Sequence, residues 1–185
     1  MIRFSRILAM SVLVLSATSG QGQARLLLSR KEALGLAFPA DAVVEKKNAF
    51  LSKEDLTAVQ REARAPVDSR LWTYFVAESS GRVVGYAYFD RVVIRTMPAT
   101  VMAAISPEGS LRFLEVLSFD EPEDYLPLKR WLKLFEGKAD PQRVRVGDAI
   151  RNVTGATLTS HALTDAARRL LGLHRTLHPT SDNER

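Results

Sequence analysis

The chain has 185 residues, of which 46% are hydrophobic and 25% charged, with 26 Lys and Arg against 21 Asp and Glu. This balance suits one ordinary globular domain and excludes a mainly disordered chain. There is no cysteine, which excludes disulfides, thiolate-held iron–sulfur clusters, cysteine zinc sites, covalent c-type haem and a lipid anchor on cysteine, and only three histidines are left to build a metal or acid–base site.

Residues 1–24 carry Arg3 and Arg6, an apolar run from Ile7 to Ala17, and the small-x-small ending Gly22-Gln23-Ala24. This is the layout of a signal peptide, with a run shorter than the roughly 20 apolar residues that span a bilayer. Cleavage after Ala24 lowers the net charge from +5 to +3, which weakens any nucleic-acid reading. Leu26, Leu27 and Leu28 resume the apolar character, so an uncleaved anchor stands as the rival. Both readings export the body of the protein.

Residues 25–70 read as a helical N-terminal segment. Arg30 to Leu36 is helical up to Pro39. Ser52 with Asp55 forms a capping box, and Leu56, Val59 and Ala63 follow at helical spacing. From Leu71 onward the aromatic and branched residues predict strands: Leu71 to Glu78, Val83 to Thr96 with a bend or bulge at Gly85, Ala99 to Ile105, and Leu111 to Phe119. Short turns, among them Ser79-Ser80-Gly81-Arg82, predict an antiparallel meander. A helix is expected over Glu123 to Phe135, closed by Gly137, and a last one from Ser160, with Leu163, Ala166, Ala167, Leu170 and Leu171 on one face. The expected fold class is α+β, an antiparallel sheet flanked by helices, with one domain over 71–178 and a loose tail at 179–185.

The stretch that carries chemistry is Asn152-Val153-Thr154-Gly155-Ala156-Thr157-Leu158-Thr159-Ser160. It enters the last helix, where unpaired N–H groups and the helix dipole favour an anion. Gly155 removes the side chain that would hold a phosphate away from the backbone. A plain helix cap with a glycine turn accounts for the same residues. His161 follows directly. His174 and His178 lie four apart on one helical face, without acidic or thiol partners at ligand spacing, and no metal site is expected.

This stretch resembles the flavinylation motif of the FMN-binding domain family, which includes the C subunit of the sodium-translocating NADH:quinone reductase and the G subunit of the Rnf complex. The resemblance covers roughly residues 80–175. It implies an exported flavoprotein carrying FMN through a phosphoester on Thr157, with Thr154, Gly155, Ala156, Leu158 and Thr159 around the cofactor. Arg151 stands at the motif's acidic position, and Asp148 is the nearest acid. The family's glutamate–proline element has a faint echo in Phe119 to Leu126. Leu126, Leu128, Trp131 and Leu158 are candidates to pack the flavin ring. The implied partners are an exported flavin transferase and membrane-bound or periplasmic redox proteins. The implied location is the periplasm, in possible association with the inner membrane. The resemblance favours an electron carrier over a stand-alone enzyme with catalytic side chains. Two other readings stay open: an exported non-catalytic binding module, and a flavin-dependent reductase of a small oxidant.

Overall fold

The computed structural model describes residues 25–179. The signal segment 1–24, with its choice between cleavage and anchoring, lies outside the described residues, as does the tail beyond residue 179. None of the described helices is long and apolar enough to cross a membrane.

Six strands form one antiparallel sheet in the order β1-β6-β5-β4-β3-β2. They are β1 (Arg25–Leu26), β2 (Val43–Phe50), β3 (Leu71–Ser79), β4 (Arg82–Val93), β5 (Pro98–Ile105) and β6 (Leu111–Phe119). The helices are α1 (Arg30–Ala37), α2 (Lys53–Ala63), α3 (Lys129–Leu132) and α4 (Thr157–Leu177). The α+β architecture is the expected one.

β3 to β6 make the expected meander. Ser80 and Gly81 turn between β3 and β4 with φ of 52° and 73°, the left-handed pair that a two-residue hairpin needs. The register slips between Ala77 and Glu78, opposite Gly85, where the sequence predicts a bulge.

The N-terminal segment differs from expectation. It is not wholly helical, because β2 runs between α1 and α2, and β1 pairs with β6 at the other edge of the sheet. Val43, Val44 and Phe50 look like strand residues, but Glu45-Lys46-Lys47 interrupts the alternation. An edge strand tolerates those charges, and they blunt its free side against other chains.

The helix expected over Glu123 to Phe135 is broken as well. It becomes a 3-10 turn at Glu123–Tyr125, the four-residue α3, and a second 3-10 turn at Lys133–Phe135. Pro127 explains the break: it forces the preceding Leu126 into an extended conformation, φ −73° and ψ 124°.

Strand alternation divides the core. Ala99, Val101, Ala103 and Ile105 of β5 face α2, α3 and α4, with Val59, Trp131, Leu163, Ala167, Leu170 and Leu171 packed over them. Met102 and Ala104 face the opposite side and meet Ala33, Ala37 and Phe38 of the α1 region. α4 lies against α2 at close range: a Cβ on Gly172 would stand 3.3 Å from the Val59 carbonyl oxygen. Asp90 of β4 and Arg169 of α4 form a charge pair at 2.7 Å that is mostly withdrawn from solvent. Removing either partner would strand the other charge, so the pair holds the helix in one register on the sheet. α4 therefore presents its N-terminus at a fixed place beside the β4–β5 connection.

Candidate functional site

α4 begins at Thr157, three residues earlier than the spacing suggests. Its start is left open. Ala156 is the N-cap and supplies no side-chain hydrogen bond, so the N–H groups of Thr157, Leu158 and Thr159 have no partner within the helix. Gly155 makes the preceding turn at φ +81°, and a side chain there would meet nothing within 4 Å, so the approach to those N–H groups is clear.

Ser160 serves structure rather than a ligand. Its hydroxyl donates to the Ala156 carbonyl at 3.1 Å and accepts from the Val153 N–H at 3.0 Å, locking the turn onto the helix. Thr159 is likewise buried, at 1% exposure, and offers the site its backbone rather than its hydroxyl. Thr154 and Thr157 are exposed, and Leu158 is half-exposed. Of the motif's hydroxyl residues, Thr157 alone combines an exposed side chain with the first position of the helix. The Asn152 side-chain amide donates to its Oγ1 at 3.1 Å, which uses the oxygen as acceptor and not its own proton.

Two clefts flank this turn. The smaller, about 240 Å³, is lined by Gly155 to Thr159 together with Ile94, Arg95 and Tyr125. Arg95 is held in place by Tyr125: its guanidinium lies 5.0 Å from the ring centre and donates to the phenol oxygen at 3.2 Å. The larger cleft, about 420 Å³, is lined by Leu128, Arg130, Trp131, Leu134, Arg151, Asn152 and Val153. Trp131 packs edge-on to Phe135 at 5.1 Å and donates its indole N–H to the Arg151 carbonyl. Of the apolar residues proposed for a ring, Leu128 and Trp131 wall the larger cleft, Leu158 lines the smaller, and Leu126 packs against the core.

Sequence reasoning misses Ile94, Arg95 and Tyr125, which reach the motif from the β4–β5 connection and from the turn after β6. The acidic echo at Phe119 to Leu126 is the one available signal. Glu121 in it is buried and accepts from the backbone N–H groups of Arg95, Thr96 and Met97 through one oxygen, at 3.1 to 3.2 Å. Burial raises its carboxyl, but the three N–H donors and the Arg95 charge outweigh that and hold it below the usual carboxylate range. A depressed carboxyl stabilises the folded state above its unfolded value, and the benefit fades as pH falls through the lower folded value. Glu121→Ala leaves three N–H groups unpaired. We expect a loss of about 1–3 kcal/mol, and amide exchange at Arg95 to Met97 that rises by more than the exchange elsewhere in the sheet. Equal acceleration throughout the sheet would contradict this local role.

His161 is exposed on the first turn of α4. His174 and His178 lie toward the other end of the helix, about 25 and about 31 Å from Thr157 by helical rise, and take no part in this site. Among the described residues no group of three or more His, Asp or Glu side chains stands ready to hold a metal.

Residues 96–172, spanning β5, β6, α3 and most of α4, match the family model described as the FMN-binding domain. Among solved structures, the chain is similar to NqrC of Shewanella oneidensis, with 15% identity over 72% of this chain and 81% of that one, at a TM-score of 0.51. At that identity the likeness speaks to the fold. No curated protein sequence matches the chain.

Proposed function

This chain carries a domain of the FMN-binding family, with FMN as its cofactor, and from that premise we propose that it is an exported electron-transfer flavoprotein with FMN esterified to Thr157. The observation that carries this reading is the exposed Thr157 hydroxyl at the open start of α4, between an anion-receptive turn and a cleft walled by Trp131 and Leu128.

The residues present fit the group. The N–H groups of Thr157, Leu158 and Thr159, with the positive end of a 21-residue helix, would hold the phosphodiester charge. Arg95 supplies a full positive charge to the same cleft. Asn152 fixes the rotamer of the Thr157 side chain through its 3.1 Å hydrogen bond. Trp131 and Leu128 offer a flat apolar wall that excludes water from one side of a planar ring.

The bound flavin supplies reversible one- or two-electron chemistry, and the protein contributes attachment, orientation and electrostatics. Esterification requires an activated phosphoryl donor, so the partner that loads Thr157 is a flavin transferase using a flavin dinucleotide. The Oγ1–phosphorus bond forms, the dinucleotide's pyrophosphate bond breaks, AMP leaves, and the hydroxyl proton passes to solvent. Covalent attachment keeps the cofactor from diffusing away in an exported compartment. The leader of residues 1–24, with a basic start, an apolar run and a small-x-small ending, supports export to the periplasm, where membrane-bound or soluble redox proteins would be the electron partners.

Production of the full chain with a flavin transferase in the exported compartment tests the reading. The purified protein should be yellow, keep its colour through denaturation and gel filtration, bleach on reduction with dithionite and recover in air. A colourless product from cells with active transferase would favour the binding-module alternative.

A further inference from the structure

Two guanidinium groups border the larger cleft. Arg130 comes from α3 and Arg151 from the extended connector that leads to the motif. Both are exposed, and among the described residues neither has a carboxylate within 4.0 Å. Their charge is therefore not consumed within the chain. The three arginines of α4 itself are engaged: Arg168 pairs with Asp165, Arg169 with Asp90, and Arg175 with Glu62.

The backbone fixes where Arg151 stands. Its carbonyl accepts from the Trp131 indole, so the residue is tied to the apolar wall of the same cleft. Its neighbour Asn152 both lines that cleft and bonds the Thr157 hydroxyl. The cleft is thus lined both by apolar residues, Leu128, Trp131 and Leu134, and by two cations, Arg130 and Arg151, and its lining residue Asn152 reaches the attachment atom.

We propose that Arg130 and Arg151 raise the flavin's reduction potential by stabilising the negative charge its ring carries when reduced. The inference rests on the reading that FMN is esterified to Thr157. Two-electron reduction adds two electrons from the donor and one proton from solvent at N5, and leaves N1 without a proton and the pyrimidine end of the ring anionic. A cation near that end favours the reduced form over the oxidised one and disfavours protonation of N1. Leu128 and Trp131 would cover apolar ring surface, which carries no charge in either state.

The test uses the flavinylated protein, titrated with dithionite against redox mediators at several pH values. Arg151→Gln should shift the equilibrium toward the oxidised ring about tenfold, which for a two-electron couple lowers the midpoint by about 30 mV. Arg151→Asp should lower it further. Each variant should also raise the pH at which the reduced ring takes up its N1 proton, a change that altered packing alone would not produce. Arg130→Gln, on a separate element, should act in the same direction and keeps the inference testable if an Arg151 variant is poorly flavinylated. Added salt should lower the wild-type potential more than that of the double variant. Unchanged midpoints and N1 protonation in variants that retain covalent flavin would overturn the inference while leaving the attachment at Thr157 intact. A wild-type chain that takes up no covalent flavin would instead remove the attachment itself.

Discussion

Thr157→Ala, produced alongside an active flavin transferase, should yield a protein with no covalent flavin and an essentially unchanged fold. The side chain is exposed and makes one hydrogen bond, to Asn152. Losing that bond costs no more than about 1 kcal/mol. The loss of colour should nevertheless be complete, because no other hydroxyl of the motif has the same placement. Thr159 and Ser160 are buried, Ser160 is spent on the turn, and Thr154 lies before the helix begins. Thr157→Ser keeps an oxygen at the helix start and should restore colour, while Thr154→Ala should remain yellow after denaturation. Covalent colour in folded Thr157→Ala would move the attachment elsewhere.

Acid should destabilise the domain through the far end of α4. His174 is 3% exposed, with Nδ1 3.0 Å from the hydroxyl of Tyr88. Burial, with the neighbouring His178, pushes its pKa down from 6.5 to about 4. The groups around it give little support to a positive charge. Tyr86 and Tyr88 of β4 pack against it, and Tyr74 of β3 stacks on Tyr88. Burial raises the Tyr86 and Tyr88 phenols, so both stay neutral, and it lowers His178 as well. The nearby cleft holds Glu108 and Asp140, but also Arg175.

A histidine depressed in the folded state lets the unfolded chain bind the proton first. Stability is full above pH 6.5 and falls as the pH drops toward the folded value near 4, by about 3 kcal/mol over the whole window. That is a large part of the 5–15 kcal/mol typical of a domain. Urea unfolding of wild type and His174→Gln at pH 7 and pH 4.5 checks it. The variant should lose less stability between the two pH values, even if it starts lower. Parallel losses would show that His174 is not the group responsible.

The meander was legible because β3 to β6 obey simple alternation between short turns. β1 and β2 were not, since an edge strand carries charges that a central strand excludes. Pro127 was visible in the sequence, but its consequence depended on a helix too short to absorb it. The motif itself was readable at Gly155-Ala156-Thr157, because a local turn needs only neighbours in the chain. Arg95 and Tyr125 carry no such signal: they lie 62 and 32 positions before Thr157 and arrive through the β4–β5 connection and the turn after β6, held by Glu121 and by each other. His174 continues the apolar face of Leu170 and Leu171, but a histidine carries no sequence signal of burial. Its tyrosine neighbours became apparent only with the strand register, which sets Tyr74 opposite Tyr88.

Peptide mass mapping of the chain, recovered from the exported compartment with its transferase, tests the attachment most directly. The expected result is one modified fragment containing Thr157, heavier by one esterified FMN, with fragmentation placing the added mass on that threonine. An unmodified Thr157 fragment, or the same added mass on another residue, would contradict it.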